Sequence, residues 1–167
     1  RSKLAAVVLV ASLPTGRIPA PVGALPFYVA VAPWVLAGLP FRPSRTGLER
    51  LTLHDLAVAE REELLPGFVA ESGRVYRQLL LGKGRVRARS VACPVLVVNG
   101  TADRLVPLSV ARQVARKYRA ELFAVPGHGH WLVAGSLVGT VALPVLEWIE
   151  GHAPTGGDPS FRRSGDV

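Results

Sequence analysis

Two short polar stretches hold the residues whose types and spacing fit acid–base chemistry. The stretch PGHGHW, residues 126–131, carries His128 and His130, and the stretch NGTADRLVP, residues 99–107, carries Asp103. A carboxylate beside an imidazole accepts the ring N–H, fixes the tautomer and stabilises the imidazolium that forms when the other nitrogen takes a proton. The two stretches therefore predict a general-base pair in which Asp103 orients one of the histidines.

Glycines on both sides of His128 favour His130 as the base, because they let the loop turn the second imidazole inward without Cβ clashes. Trp131 would then pack behind the ring of His130. Taken alone, Asp103 would more often be a helix cap and His130 a satisfied loop residue, but their order and spacing together favour the pair. Metal binding by His128, His130 and Asp103 is a weaker alternative, because no further ligand cluster supports it, and we expect neither a metal nor a cofactor.

The apolar pattern predicts three strands that would position these residues. They are expected at Leu4–Ala11, buried on both faces, in the run VLVV at 95–98, and in AELFAVPG at 120–127. An Asn-Gly turn at 99–100 is expected to end the second strand.

Two helices are expected after these strands. One begins at Pro107 and repeats Val110, Val114 and Tyr118 at four-residue steps, and the last covers 137–151, where Pro144 would kink it or start it afresh. Alternating strands and helices indicate a parallel sheet, so Asp103 and His130 would meet at the carboxyl ends of neighbouring strands.

The chain divides into four parts by composition. Residues 1–13 are expected to form a buried sheet strand, 14–90 a helical, cap-like region, 91–152 the units that carry the acid and base, and 153–167 a disordered tail. In the second part, Asp55 is expected to cap a helix within 54–65. A further helix within 67–82 would place on one face the residues Phe68, Val75, Leu79 and Leu80. His54 and His152 are expected to be surface residues.

Charge and hydropathy narrow the function classes. The net charge is +8, but the densest basic run, residues 83–90, has no interleaved aromatics, so no nucleic-acid partner is expected.

Residues 1–13 have the shape of a secretory signal but also suit a buried strand, and Pro33 and Pro40 break the apolar block 25–41. We therefore expect no membrane span and a cytoplasmic protein, with secretion as the alternative. The lone Cys93 is expected to be a small buried hydrophobe.

The stretches PVLVVNGTADRLVP and VPGHGHWL resemble the last two strand-loop units of the α/β-hydrolase superfamily. The resemblance covers residues 91–151 well and implies an α/β fold, the carboxyl-terminal portion of a parallel sheet with a helical cap insertion. It also implies that Asp103 is the acid and His130 the base of a triad. The family's G-x-S-x-G nucleophile motif is absent, and the nearest string, GSLVG at 135–139, has its serine misplaced, so Ser136 is expected to be an ordinary loop or cap residue.

The resemblance implies a serine-type hydrolase acting on an ester or related acyl bond, with its nucleophile in sequence upstream of Arg1. The 167 residues are therefore expected to be inactive alone. The alternative is a non-catalytic binding or interaction module of the same fold. A hydrophobic small-molecule substrate is expected to contact Phe27, Trp34 and Trp131, and an exposed sheet edge predicts self-association.

Overall fold

A parallel three-stranded sheet forms the centre of the computed structural model, which describes residues 4–13, 22–84 and 86–152. The strands in those residues are β1 Val7–Val10, β2 Pro40–Phe41, β3 Glu71–Ser72, β4 Val95–Gly100 and β5 Glu121–Val125. The sheet order is β1-β4-β5, with Val7 opposite Val95 and Leu96 opposite Glu121. Strands β2 and β3 form a separate antiparallel pair. The parallel sheet agrees with the predicted fold class.

The position of each strand in the sheet decides its burial. Every residue of β4 is buried, because β4 pairs on both sides. Both faces of β1 pack on the core as predicted, with Val8 and Val10 on one cluster and Leu9 on the other, but all four residues are only half-buried. Among the described residues β1 has a partner on one side only, and its other side stays open.

Helices cover both faces of the sheet. Their bounds are α1 Leu25–Ala37, α2 Arg45–Gly47, α3 Val58–Leu64, α4 Gly73–Leu80, α5 Leu108–Tyr118 and α6 Val138–His152. Side chains of β4 alternate between the faces: Leu96 and Val98 pack with Val141 of α6, whereas Val97 packs with Val114 of α5. The predicted apolar spacing of α5 is confirmed, and this packing anchors the strand ends that carry the polar loops.

The region before β4 is helical, with different boundaries from those predicted. Helix α1 runs through Pro33 without a break and is capped after Ala37 by Gly38, which has a φ of +73°. Helix α4 begins only at Gly73, because the Ser72 side chain accepts a hydrogen bond from the Val75 N–H and caps it there. Phe68 therefore lies outside the helix expected over 67–82, and Val75 is half exposed rather than buried.

Two further expectations need correction. Helix α6 continues through Pro144 and does not restart there, and Cys93 is half-buried rather than buried. Within the described ranges, no helix combines the length and apolar character needed to cross a bilayer. The tail 153–167 and most of the proline-rich turn expected after β1 lie outside the described residues.

Candidate active site

Asp103 lies in the loop between β4 and α5, residues 101–107, here called the acid loop. Its side chain is 0% exposed. Oδ1 accepts hydrogen bonds from the backbone N–H groups of Leu105 and Val106, both at 2.8 Å. A buried carboxylate needs such donors, and these two fix its orientation so that Oδ2 points towards the neighbouring loop.

His130 lies in that neighbouring loop, residues 126–131, here called the base loop. The His130 Nδ1 atom is 2.9 Å from Oδ2 of Asp103, so the contact predicted between the two side chains is present. A carboxylate only accepts, so the ring donates its proton from Nδ1 and leaves Nε2 as the accepting nitrogen of the neutral ring. No residue in the described part of the chain forms a hydrogen bond with Nε2, and the His130 side chain is 18% exposed. This arrangement can take up a proton at Nε2.

The Asn-Gly pair before the acid loop is not the predicted turn. Asn99 and Gly100 are the last two residues of β4, and the turn follows at Thr101 and Ala102. The buried Asn99 amide donates from Nδ2 to the carbonyl oxygens of Gly100, at 3.1 Å, and Val106, at 3.0 Å. The Asn99 amide therefore joins the two ends of the acid loop, and β4 stays extended through Asn99 and Gly100.

Gly100 lets the two loops pack backbone against backbone. A Cβ at this position would lie 2.2 Å from the carbonyl oxygens of both His128 and Gly129. The Ala102 N–H donates to the His128 carbonyl at 2.9 Å, and the Gly127 N–H donates to the Thr101 hydroxyl at 2.8 Å. The acid and base loops are therefore bound side by side, which sets the distance between Asp103 and His130.

The glycines of the base loop have different roles from those predicted. Gly127 has a φ of +74°, a left-handed conformation that glycine adopts without strain. Gly129 is buried, and a Cβ there would lie 2.4 Å from Oδ1 of Asp55. Gly129 thus makes room for a carboxylate from the region before β4. It is this close approach, rather than freedom to swing, that requires glycine at 129.

Sequence reasoning missed the roles of His54 and Asp55. Asp55 does not cap a helix, because α3 begins at Val58 after an Ala57 cap residue with no side-chain hydrogen bond. Its Oδ2 instead accepts a hydrogen bond from the Gly129 N–H at 2.7 Å. His54 was expected at the surface, but it is half-buried and its Nε2 donates to the Ala102 carbonyl at 3.0 Å. Only the packing of distant segments reveals these contacts, so no local pattern could have indicated them.

The other histidines also have identifiable surroundings. His128 Nδ1 is 3.6 Å from Oδ2 of Asp55, too far for a hydrogen bond. His152 is half-buried rather than a plain surface residue, with its ring stacked on Trp148 and its Nε2 3.2 Å from Glu121. Since His128 lies against Asp55 and His130 against Asp103, the two imidazoles face different carboxylates. The described part of the chain has no group of three or more His, Cys, Asp or Glu residues suited to hold a metal.

The three aromatic residues predicted to bind substrate lie in different environments. Trp131 packs against Phe68, with ring centroids 5.3 Å apart, at the edge of the core. Trp34 on α1 is 46% exposed. Phe27 lines an open cleft of about 410 Å³ formed by Gly23, Phe27, Arg50, Leu51, Arg104 and Pro107. The structure thus brings Phe27 next to the acid loop and gives Trp131 a packing contact.

Tyr28 on α1 is a further residue that the sequence did not indicate. Burial raises the pKa of its hydroxyl, and the nearby negative charge of Asp103 raises this pKa further. Burial also raises the pKa of Tyr76 on α4, which feels the charges of Glu71 and Tyr28. Helix α1 therefore lies close enough to the acid loop for the charge of Asp103 to affect the pKa of Tyr28.

Ser136 lies after the base loop, in a short turn over Gly135–Leu137. Its hydroxyl donates to the carboxylate of Glu60, with Oγ 2.9 Å from Oε2 and 3.0 Å from Oε1. An exposed serine whose proton is committed to a carboxylate matches the expected loop residue.

Comparisons with known proteins agree with this architecture. The model of the alpha/beta hydrolase family matches residues 2–136. No curated protein matches the sequence.

Several solved structures share the fold at low sequence identity. A soluble variant of monoglyceride lipase from Saccharomyces cerevisiae has a TM-score of 0.62 at 14% identity, covering 87% of this chain and 55% of its own. Monoacylglycerol lipase from Paleococcus ferrophilus has a TM-score of 0.62 at 17% identity, with 91% and 61% covered. A thermophilic esterase from Thermogutta terrifontis has a TM-score of 0.57 at 14% identity, with 89% and 57% covered. The chain therefore spans less than two thirds of each of these structures.

Proposed function

Because this chain belongs to the alpha/beta hydrolase family, we propose that it supplies the acid and the base of a serine-type hydrolase acting on an ester or related acyl bond. The observation that carries the proposal is the 2.9 Å contact between Oδ2 of Asp103 and Nδ1 of His130 at the carboxyl ends of neighbouring parallel strands. Ligands and catalytic groups of open parallel sheets gather at this edge. The structures of similar fold include lipases and an esterase, which supports acyl chemistry.

The proposed reaction uses His130 as base and then as acid. Its Nε2 takes the proton of a serine hydroxyl while the serine oxygen attacks the carbonyl carbon, and Asp103 stabilises the imidazolium through Nδ1. His130 then returns the proton to the leaving alcohol as the carbon–oxygen bond breaks. Water repeats the sequence on the acyl-enzyme: His130 takes its proton, the acid is released, and the serine regains its hydrogen.

The nucleophile is proposed to lie outside the 167 residues. No G-x-S-x-G string occurs in the sequence, and the serine of the nearest string, Ser136, is bonded to Glu60. The similar structures are longer than this chain, since it covers 55% to 61% of them. The proposed hydrolase activity therefore belongs to a longer polypeptide, in which a further segment carries the serine and the oxyanion hole.

The substrate is proposed to be a small molecule with an apolar part. Phe27 lines the cleft beside the acid loop, and Trp34 offers a partly exposed ring on the same helix. Trp131 stays a candidate at the end of the base loop, although its ring packs on Phe68. Phe27, Leu51 and Pro107 give the cleft an apolar side that suits an acyl or alcohol group, and two arginines, Arg50 and Arg104, line it as well.

Ester hydrolysis tests the proposal. The 167-residue chain and a longer polypeptide that includes the residues encoded upstream are assayed with a short acyl ester. We expect hydrolysis only by the longer polypeptide, with kcat falling by on the order of 10⁴ in His130→Gln. Hydrolysis that survives His130→Gln would refute the base assignment, and hydrolysis by the short chain would refute the placement of the nucleophile. A longer polypeptide that binds acyl esters without cleaving them would favour the alternative of a non-catalytic binding module.

A further inference from the structure

We propose that Asp55 is a positioning residue that fixes His130 against Asp103 by holding the backbone of the base loop. The inference rests on the proposed function in one respect, namely that His130 is the base. The bond that carries it runs from the Gly129 N–H to Oδ2 of Asp55, at 2.7 Å. Gly129 directly precedes His130, so a restraint on its peptide restrains the Cα from which the imidazole projects.

Two consecutive residues reach the two loops of the site. His54 donates from Nε2 to the Ala102 carbonyl of the acid loop, and Asp55 accepts from Gly129 of the base loop. The loops also bond each other, since the Ala102 N–H donates to the His128 carbonyl at 2.9 Å. The segment 54–55 therefore bridges both loops from outside the sheet and adds to the direct bonds between them.

The form of the Asp55 contact points to positioning rather than to stability alone. The Asp55 side chain is 12% exposed, and its Oδ1 is buried with no hydrogen-bond partner among the residues that the structure describes. A half-satisfied buried carboxylate is a poor way to stabilise a fold. It also requires glycine at 129, because a Cβ there would lie 2.4 Å from Oδ1. The chain keeps this costly arrangement at the peptide next to the proposed base.

The neighbouring carboxylate of Glu60 provides a matched control. It lies on α3, a few residues after Asp55, and bonds Ser136 just beyond the base loop, with contacts of 2.9 and 3.0 Å. Removing Glu60 deletes a carboxylate contact to an adjacent turn but leaves Gly129 untouched. An effect seen in the Asp55 variants but not in the Glu60 variant therefore comes from the lost bond to the base loop, and not from a general loss of stability in this region.

The test uses proton NMR of the 167-residue chain, with hydrogen exchange of the Gly129 amide as a second readout. We expect Asp55→Ala to broaden or remove the His130 Nδ1–H signal and to speed Gly129 exchange at least tenfold, while Glu60→Ala changes neither. Asp55→Asn keeps an accepting oxygen and should restore most of both readouts. If Asp55→Ala fails to fold, Asp55→Leu fills the same space without an accepting oxygen and should reproduce the loss of both readouts.

The outcomes separate this inference from the proposed function. Unchanged His130 and Gly129 readouts in Asp55→Ala would overturn the positioning role, whatever the activity. Absence of the His130 Nδ1–H signal from the parent chain would contradict the Asp103–His130 pair and with it the proposed base, while the Gly129 comparison would still decide whether Asp55 holds the loop. In the longer polypeptide, a positioning role predicts that Asp55→Ala lowers kcat by on the order of 10²-fold with little change in KM.

Discussion

Substituting alanine for Gly100 should separate the acid loop from the base loop. The new Cβ would lie 2.2 Å from the carbonyl oxygens of His128 and Gly129, and both atoms belong to the backbone, so no side chain can rotate away. The base loop must retreat by roughly 0.8 Å to reach even a tight contact, and overpacking of this kind costs about 1 to 3 kcal/mol. Because Oδ2 of Asp103 and Nδ1 of His130 are 2.9 Å apart, the same displacement would stretch their hydrogen bond beyond its useful range.

Thermal unfolding and the His130 Nδ1–H signal together measure this effect. A loss of 1 to 3 kcal/mol corresponds to a fall in Tm of about 2 to 4 °C per kcal/mol in a chain of this size. Gly135→Ala is the matched control, since a Cβ at 135 meets nothing within 4 Å. An unchanged Tm together with an unchanged His130 signal in Gly100→Ala would refute the conclusion that the two loops are packed to contact distance.

Three further predictions concern single residues near the site. Asn99→Ala should lower the free energy of unfolding by about 2 to 3 kcal/mol in urea denaturation, because two carbonyl oxygens lose the buried amide that they share. Gly127→Ala should cost about 1 kcal/mol by the same measurement, since its φ of +74° strains a residue with a Cβ, and an unchanged midpoint would contradict this. Because the folded state raises the pKa of Tyr28, its contribution to stability is full below pH 10.0 and is lost as pH rises through the higher folded pKa. The free energy of unfolding of Tyr28→Phe should therefore fall less than that of the parent chain as the pH rises above 10.0, and an equal fall would contradict the burial of the hydroxyl.

The sequence predicted the central sheet and the Asp103–His130 contact because both follow from local patterns. These patterns are the apolar run of β4, the four-residue spacing of Val110 and Val114, and the polar stretch after each strand. Each one involves residues that are only a few positions apart in the chain. Parallel strands then bring their carboxyl ends to one edge, which places the two polar loops together without any knowledge of distant contacts.

The failed predictions depended on contacts between distant segments. Asp55 has the residue type of a helix cap, but the Gly129 N–H offers a partner that no local pattern reveals. Asn99 and Gly100 form a common turn pair, yet pairing with β5 keeps them in the strand and the buried amide bonds both ends of the acid loop. In each case a tertiary hydrogen bond overrode a local preference.

The helix break predicted at Pro33 and the restart predicted at Pro144 are both absent. Pro33 and Pro144 both lie inside continuous helices, where the missing N–H removes one hydrogen bond from the ladder. In α6, Val141 before Pro144 and Trp148 after it both pack on the core, so tertiary contacts hold the helix together despite that loss.

Replacement of Asp103 by asparagine in the longer polypeptide tests the central claim most directly, through kcat for hydrolysis of a short acyl ester. An asparagine would keep the size of the side chain but could not hold the imidazole with its proton on Nδ1 and stabilise its positive charge. We predict a fall in kcat of on the order of 10⁴ with KM nearly unchanged. A fall of less than about tenfold would contradict the assignment of Asp103 as the residue that orients the base.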